Sequence, residues 1–329
     1  MIEVRCFHNL LADDWLSVWS DQAARFSDFL APVTRQVLES QILGNILFDP
    51  EGLFLAYLDG VPVGIIHAAF GPNADGTDFS YQVGILYAPV IRSDIPLDRS
   101  GVAAELIQAG EDYFQKRGTH RWYAGGYAKA SPFYTGLYGW TNPEGVSDAD
   151  TETLAVFCRM GYSRFGVSRR FRLICAPFTP RLTPKIQEAD NNVIISRFAR
   201  PTEPSWWESN IYRNFDTEEW NVFPRKGLND EPIAGALFRK MCPTFSPHGE
   251  IEQRENRFIL DYIAVIETQL RQGIASLLLT VALADLTRCH NSFTVDTLVD
   301  ARNERLAAFL QANRFQEIGT VTSFYKVLA

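Results

Sequence analysis

The stretches DRSGVAAELI (residues 98–107) and LRQGIASLLL (residues 270–279) share one pattern, and this pattern decides how the chain is interpreted. In each, a short polar segment with a glycine, Gly101 or Gly273, opens an apolar helix. The first turn of a helix has backbone N–H groups without partners, and the helix dipole favours negative charge there. Since glycine lets a backbone approach an anion closely, each stretch is either a phosphate site or a helix start where glycine serves packing alone.

The order of predicted elements around the two stretches repeats. In each half, three strands precede the glycine-opened helix, and a strand, a helix and a closing strand or strand pair follow it. The spacing agrees: Gly101 follows the strand glycine Gly64 by 37 residues, and Gly273 follows Gly235 by 38. Such agreement indicates an internal repeat. In the first half, a tight turn at Asp59-Gly60 predicts a β-hairpin.

The repeat predicts an α+β fold of two tandem domains, each a mixed, mostly antiparallel sheet flanked by helices. We assign residues 1–176 to the first domain and residues 190–329 to the second. The proline-rich and polar residues 177–189 between them are assigned to a linker. The first half is longer by a segment near 131–149, which begins SPFYTGLYGW and is interpreted as an insertion.

Composition excludes several classes of protein. A net charge of −8 over 329 residues disfavours nucleic acid or an anionic membrane as the main partner. No apolar run reaches ~18 residues, the length needed to span a bilayer, and the N-terminus lacks the pattern of a signal peptide. The five histidines share no metal-ligand spacing, so no metal is expected. The five cysteines form no CxxC pair, which suits reduced thiols in the cytoplasm: Cys6, Cys158, Cys175, Cys242 and Cys289.

The order of elements and the two glycine motifs resemble the GNAT superfamily of acyltransferases, over most of the chain. In that superfamily the central strand and the following helix carry the motif Arg/Gln-x-x-Gly-x-Gly/Ala. The matching stretches here begin at Asp98 and at Leu270, and each has alanine at the last motif position. Tandem arrangements are familiar in mycothiol-synthase-like acetyltransferases. The resemblance implies that acetyl-CoA is bound as a co-substrate, with its pyrophosphate at the glycine turn and its pantetheine arm along a splayed strand.

The resemblance also implies which residues contact the coenzyme. In the second half these are Val265, Arg271, Gln272, Gly273, Ile274, Ala275, Ser276 and Asn303. In the first half they are Arg99, Ser100, Gly101, Val102 and Ala103. An asparagine at a helix start is equally a good N-cap, so Asn303 has two readings of similar weight.

Two departures from the superfamily pattern favour the second half as the coenzyme site and leave the acid of the reaction open. The first motif position is Asp98 in one half, where a carboxylate repels phosphate, and Leu270 in the other, where Arg271 follows. Many relatives have a tyrosine in the last helix as general acid for the departing thiolate. The equivalent positions here are Phe157 and Leu310, neither of which donates a proton.

For the remaining chemistry, the candidates for the base are Asp261 on the predicted central strand and Glu267 just after it. The plainer interpretation of each is a solvated charge or a residue at the edge of the sheet. Tyr325 on the closing strand could lend a phenol, as could Tyr134 or Tyr138 if the insertion folds over a cleft. The plainer interpretation of the insertion is hydrophobic packing over the seam between the halves.

These observations predict transfer of an acetyl group from acetyl-CoA to an amine of a small molecule or peptide, by direct transfer. A non-catalytic acyl-CoA-binding or interaction protein is the first alternative, motivated by the missing tyrosines. An aminoacyl-tRNA-dependent transferase is the second, since such enzymes also pair GNAT-like folds, and the acidic balance counts against it. Nothing in the sequence indicates an oligomeric state.

Overall fold

The computed structural model has two halves with the same order of strands and helices. It describes residues 1–95, 98–128, 130–175, 178, 183–199, 202–225, 231–240, 256–290 and 292–328. Cys242 and residues 177 and 179–182 of the predicted linker lie outside these ranges. The predicted domain limits at 176 and 190 stay predictions.

The strands and helices of the first half follow one another in the predicted order. It contains β1 (Ile2–Cys6), α1 (Ala12–Arg25), α2 (Arg35–Val37, continued by a π-helical turn over Leu38–Leu43), β2 (Leu53–Leu58), β3 (Val61–Pro72), β4 (Phe79–Leu86), β5 (Val90–Ile91), α3 (Arg99–Lys116), β6 (Arg121–Ala124), β7 (Val146–Ser147), α4 (Thr151–Arg159) and β8 (Ser163–Cys175). The predicted turn between β2 and β3 is present, with Asp59 at φ 50° and Gly60 at φ 82°, the positive values that a two-residue hairpin of this hand requires.

The second half follows the same plan. It contains α5 (Pro184–Asn192), β9 (Val193–Ala199), α6 (Trp206–Ile211), β10 (Asp216–Pro224), β11 (Ala234–Lys240), β12 (Asn256–Val265), α7 (Ile274–Cys289), β13 (Phe293–Asp300), α8 (Glu304–Ala312) and β14 (Gln316–Val327). Helix α5 occupies part of the predicted linker, where Thr183 caps the first turn and Pro184 fits the first helical position.

The described strands form one 14-stranded sheet in which the two halves exchange their last strands. The order along the sheet is β1-β2-β3-β4-β6-β14-β8-β13-β12-β11-β10-β9. Strand β14 of the second half pairs antiparallel with β6 of the first, and β8 of the first half pairs antiparallel with β13 of the second. Each half is therefore completed by a strand from the other. Among the described strands, parallel pairing joins β4 to β6 and β12 to β13, and the α+β class is confirmed.

Two hydrophobic cores lie against this sheet. In the second half, α7 buries Leu278 and Leu283 on β11 and β12, and each such side chain contributes about 1.5–3 kcal/mol. In the first half, the inserted segment belongs to the core, with Phe133 and Tyr134 buried beside α1 and β3. A third cluster around Trp207 joins the halves, since Trp207 donates its backbone N–H to the carbonyl of Gly76 at 3.0 Å.

Candidate functional site

Helix α7 has a glycine as its N-cap residue, so the cap position has no side chain. Gly273 is the N-cap residue with φ 86°, and Arg271, two residues earlier, has φ 63°. A Cβ added to Gly273 would lie 2.9 Å from the backbone oxygen of Lys185, so a side chain does not fit there. No side-chain hydrogen bond caps this helix. The amides of its first turn are therefore available to an acceptor from outside the helix.

Helix α3, at the equivalent place in the first half, begins differently. Asp98 is its N-cap, and the Asp98 carboxylate accepts a hydrogen bond from the Ser100 backbone N–H at 3.0 Å. Arg99 turns back to donate to the carbonyl of Ile91 at 3.3 Å and pairs with Glu152 at 3.4 Å. Gly101 is the third residue of the helix rather than its cap. A phosphate here would meet a carboxylate, so this helix start disfavours the coenzyme.

The strands beside α7 separate at mid-length. The parallel pairing of β12 with β13 ends at Ile259 opposite Asp296. A register shift in the β11–β12 pairing leaves Asp261 as the bulged residue, between Leu260 and Tyr262. Beyond the bulge, β12 continues along β11 to Val265 while its other edge no longer pairs with β13.

The orientation of that free edge follows from one hydrogen bond. Ile266 donates its backbone N–H to the carbonyl of Ile233, on the β11 side. Because successive residues of a strand point their N–H and C=O groups to opposite edges, Val265 and Ile263 direct theirs to the open edge. A strand edge with free amide groups thus runs from the Gly273 turn toward the bulge at Asp261.

A cavity of about 490 Å³ lies at the separation of β12 and β13, between the two halves. The second half supplies its floor from β11, β12 and β13, and the first half supplies residues of the inserted segment, including Asn142 and Glu144. Among the described residues, five carboxylates and one guanidinium line it: Glu144, Glu203, Glu208, Glu219, Asp261 and Arg239.

Arg239 on β11 organises the floor of this cavity. Its side chain is 3% exposed and donates to the Glu203 carboxylate at 2.6 Å and to Thr217 at 3.0 Å. Its Nε also donates to Asp261 at 3.2 Å, and its guanidinium lies 3.3 Å from the centroid of the Tyr212 ring. A buried arginine with two carboxylates and an aromatic face is held in one position.

The three predicted catalytic residues lie in three different environments. Asp261 lines the cavity, where it accepts from Arg239 and, at 3.0 Å, from the side-chain amide of Asn142. Glu267 is exposed in the short turn between β12 and α7. Tyr325 lies on β14, paired with Tyr123 in the first half's part of the sheet. The cavity lining therefore includes one of the three, and that one already has a cationic partner.

The positions predicted at the two last helices are also defined. Asn303 is the N-cap of α8, and its side chain accepts from the Leu306 backbone N–H at 3.1 Å. Asp150 caps α4 in the same way through Thr153, also at 3.1 Å. Phe157 and Leu310, where relatives have tyrosine, are fully buried.

Sequence reasoning missed Glu144 and the residues that hold Arg239. Glu144 accepts a hydrogen bond from the Ser168 hydroxyl at 2.9 Å. Burial raises the pKa of the Glu144 carboxyl, the Ser168 hydroxyl opposes this, and the nearby charge of Asp300 adds to it. The available signal was Arg239 itself, which directly follows the apolar run AGALF of β11, because a buried arginine requires carboxylates from elsewhere in the chain.

In the first half, the corresponding cleft is filled by the inserted segment. Tyr138 donates its hydroxyl to the carbonyl of Ala88, at 3.0 Å, in the chain that follows β4. The Tyr87 hydroxyl accepts from the Phe133 backbone N–H at 2.9 Å. The cavity left beside α3 has a volume of about 40 Å³, room for about one water molecule. The insertion packs hydrophobically, as predicted, but its aromatic residues lie in the core of the first half and not over the seam, and both Tyr134 and Tyr138 are buried there.

Two further findings apply to the described part of the chain. No group of three or more His, Cys, Asp or Glu side chains is arranged there to hold a metal ion. None of the helices described is both long and apolar enough to span a bilayer.

Solved structures share this architecture over the whole chain. A tandem GNAT protein from the clavulanic acid biosynthesis pathway matches with a TM-score of 0.66 at 12% identity, covering 99% of this chain and 98% of its own. A GCN5-related N-acetyltransferase from Sphaerobacter thermophilus also matches with a TM-score of 0.66 at 12% identity, covering 99% and 95%. A glucosamine N-acetyltransferase region of a fungal multi-domain β-N-acetylglucosaminidase matches with a TM-score of 0.68 at 14% identity, covering 99% of this chain and 38% of that one.

These matches confirm the predicted tandem GNAT fold. No protein-family model matches the sequence, and no curated protein matches it. At such low identity, the likeness concerns the fold and not the activity.

Proposed function

We propose that this protein transfers an acetyl group from acetyl-CoA to an amine of a small molecule or peptide, at one active site in the second half. The observation that carries the proposal is the separation of β12 from β13, which joins the bare Gly273 turn to an acidic cavity. In this proposal, the first half shapes the acceptor side of the site. Two of the similar structures bear the name N-acetyltransferase, which supports the same reaction class.

The residues around α7 fit an acyl-CoA. The amides of Ile274, Ala275 and Ser276 in its first turn would hold the pyrophosphate, with the exposed cations Arg271 and Lys185 near the turn. The open edge of β12 would pair with the amides of the pantetheine arm. Bound there, acetyl-CoA supplies an activated thioester carbon. Backbone N–H groups facing the thioester oxygen would stabilise the charge that develops on it.

The charge of the cavity supports a cationic acceptor. Of the six ionisable side chains named above, five are acidic, and Arg239 pairs with only two of them, Glu203 and Asp261. An amine is an ammonium ion near neutral pH, so an excess of carboxylates attracts it.

The described cysteines are free thiols, which supports a reducing compartment such as the cytoplasm.

Calorimetric titration with acetyl-CoA, followed by a thiol-release assay, tests the proposal. We expect binding in the micromolar range and release of free CoA with at least one member of a panel of small-molecule and peptide amines. Wild-type protein that does not bind acetyl-CoA would overturn the assignment and leave the fold alone.

A second candidate is an acyl-CoA-binding protein without catalysis. The observation favouring it is the burial of Phe157 and Leu310, which leaves no phenol at the place where many relatives have one. Binding of acetyl-CoA without CoA release for any amine would support this candidate, whereas turnover would exclude it.

A further inference from the structure

We propose that Glu144, a residue of the first half, is the base that accepts the proton of the acceptor ammonium in the second half's cavity. This inference rests on the acetyl transfer proposed above and extends it to a catalytic residue. It makes the active site a joint product of the two halves, although only the second binds the coenzyme.

The position of Glu144 supports this role. It lies at the end of the inserted segment, two residues before β7, and lines the cavity together with Leu260 and Thr297, on either side of the strand separation. Thr297 donates its hydroxyl to the Leu260 carbonyl at 2.8 Å, which marks the inner end of that separation. The carboxylate therefore borders the same space as the place where the thioester is expected.

The exchanged strand β8 fixes the side chain. Ser168 on β8 donates its hydroxyl to the Glu144 Oε1 at 2.9 Å. Ser168 is itself buried and pairs in the sheet with Asp300 of β13 and with Val321 of β14. A single hydroxyl donor holds the carboxylate in position and leaves further lone pairs on its two oxygens for an acceptor proton.

The charged groups that face Glu144 do not neutralise it. Asp300 faces it from β13, and the hydrogen bond from Arg302 lowers the pKa of Asp300 to about 2, so Asp300 stays ionised. Tyr127 faces it from the loop after β6. Glu144 forms no ion pair with any lysine or arginine that the structure describes. Burial and the charge of Asp300 raise the pKa of Glu144 above its ordinary value, which makes this carboxylate a stronger proton acceptor.

The other cavity carboxylates have structural partners. Across the cavity, Glu203 and Asp261 are bound by Arg239. Glu219 accepts the Tyr262 hydroxyl at 2.5 Å. Glu208 takes part in the cap at the start of α6, where its side chain accepts the Ser205 hydroxyl and its backbone N–H donates to the same oxygen. Glu144 and Glu219 are left as the acidic side chains of this lining that accept from a neutral hydroxyl alone. Of the two donors, Tyr262 is exposed and Ser168 is buried, so Glu144 is the carboxylate held from the protein interior.

The proposed step balances as follows. The Glu144 carboxylate takes one proton from the acceptor ammonium, directly or through one water molecule. The freed nitrogen lone pair forms the bond to the thioester carbon, and the carbon–sulfur bond breaks with its electron pair on sulfur. The second nitrogen proton passes to the thiolate, which gives the amide and free CoA, and Glu144 releases its proton to solvent.

The test compares Glu144→Gln with wild type across pH. Glutamine keeps the size of the side chain and can accept from Ser168, but it cannot take the proton. We expect acetyl-CoA affinity within about twofold of wild type and a fall in kcat of about 100-fold or more. The wild-type kcat should reach a plateau above an acidic limb. The variant should instead rise roughly tenfold per pH unit, as the amine loses its proton to water.

Two further variants separate a base from a merely structural side chain. Ser168→Ala removes the donor that stabilises the Glu144 charge, so the acidic limb should move to higher pH while the plateau is kept. Glu105→Gln makes the same chemical change at an exposed position on α3 and should leave kcat and its pH profile unchanged.

The inference is overturned if Glu144→Gln keeps half or more of the wild-type kcat, or if it raises KM alone and keeps the acidic limb. Either result would leave acetyl transfer by the wild type intact, so the proposed function would survive. Wild-type protein that binds no acetyl-CoA, or that turns over no amine, would instead overturn the proposed function, and the role of Glu144 with it.

Discussion

Helices α3 and α7 occupy equivalent positions in the two halves, but they begin differently. The N-cap residue of α3 is an aspartate whose side chain caps the helix, whereas the N-cap residue of α7 is a glycine. Asp98 supplies α3 with its own acceptor, and Gly273 leaves the first amides of α7 to an outside group. The clefts also differ in size. The cavity at β12 in the second half has a volume of about 490 Å³, whereas the cavity beside α3 in the first half has a volume of about 40 Å³. A repeated fold can thus keep its architecture in both copies while the start of the equivalent helix is capped by a side chain in one and uncapped in the other.

The first half has a role in the site nevertheless. The inserted segment that closes its own cleft also extends Asn142 and Glu144 into the cavity of the second half. The aromatic residues of the segment supply stability, and its polar end reaches the neighbouring half. The following four tests probe this division between a closed half and an open half.

The largest effect is expected on stability, at the arginine under the open cavity. Arg239→Met leaves Glu203 and Asp261 without their buried partner, and removal of one member of a buried ion pair costs about 3–5 kcal/mol. Urea unfolding measures the change. Arg99→Met is the matched control in the closed half, where the pair with a half-exposed Glu152 predicts a loss of about 1 kcal/mol or less. Equal losses for the two variants would contradict the contrast.

The next effect is on binding of acetyl-CoA. Gly273→Glu introduces a negative charge and a clash with Lys185, so we expect affinity to fall about 100-fold or more, equivalent to about 2.7 kcal/mol. Gly101→Glu places the same side chain where a Cβ meets nothing within 4 Å, and affinity should stay within about twofold. Calorimetry measures both, with circular dichroism to check folding.

Arg271→Glu is the control for a folding defect in Gly273→Glu. Arg271 is exposed, so its replacement reverses the charge near the turn without placing a side chain at the glycine position. It should weaken acetyl-CoA binding several-fold. The reverse pattern, with loss in Gly101→Glu only, would move the coenzyme to the first half.

The third effect is the pH dependence of stability that His67, a residue of the closed half, contributes. Burial lowers the pKa of His67 to about 3, next to the Tyr134 hydroxyl at 3.1 Å. The unfolded chain accepts a proton at this histidine below pH ~6.5 and the folded chain does not, so stability is lost as pH falls from about 6.5 toward 3. Between pH 7.5 and 5, His67 should account for about 2 kcal/mol.

Urea unfolding of wild type and His67→Gln at both pH values isolates that contribution, because glutamine does not titrate. The variant's loss of stability on acidification should be smaller than the wild type's by about the same 2 kcal/mol. Identical pH dependence in the two proteins would show that His67 has the same pKa in the folded and the unfolded chain.

The smallest effect concerns two equivalent helix caps. Asn303→Ala and Asp150→Ala each remove one N-cap hydrogen bond, at 3.1 Å in both cases, and each should cost about 1 kcal/mol of stability. If Asn303 also contacts the acyl-pantetheine region, only its variant should weaken acetyl-CoA binding several-fold. Equal affinities would make Asn303 a cap and nothing more.

Local features of the fold could be predicted from the sequence because they depend on neighbouring residues. The Asp59-Gly60 turn is one, since two successive positive φ values select for such a pair. The helix expected to open within residues 98–107 is found as Arg99–Lys116, with Asp98 as its N-cap. Strand β10 was missed, because the acidic residues of DTEEWNVFP lower its strand propensity while its pairing with β9 and β11 decides its structure.

The candidate site was less predictable, because its parts are distant in sequence. Asp261 was expected, yet its partners Arg239 and Asn142 lie 22 and 119 residues away. The alternation of residues along a strand indicates which face is buried and says nothing about which strand lies alongside. For this reason the sequence does not predict that β8 and β14 are exchanged between the halves, which is what brings Ser168 into hydrogen-bond contact with Glu144.

That exchange has a consequence for how the chain is made. Strand β8 is synthesised early, yet it needs β13 and β14, and β14 pairs with β8 across the separation from Ser163 to Tyr325. Neither half can finish its sheet until nearly the whole chain has left the ribosome, and pairings this remote fold slowly. Until then the edge of β6 is an unfilled template for strands of other molecules. Either half expressed without the other should therefore aggregate or assemble with copies of itself.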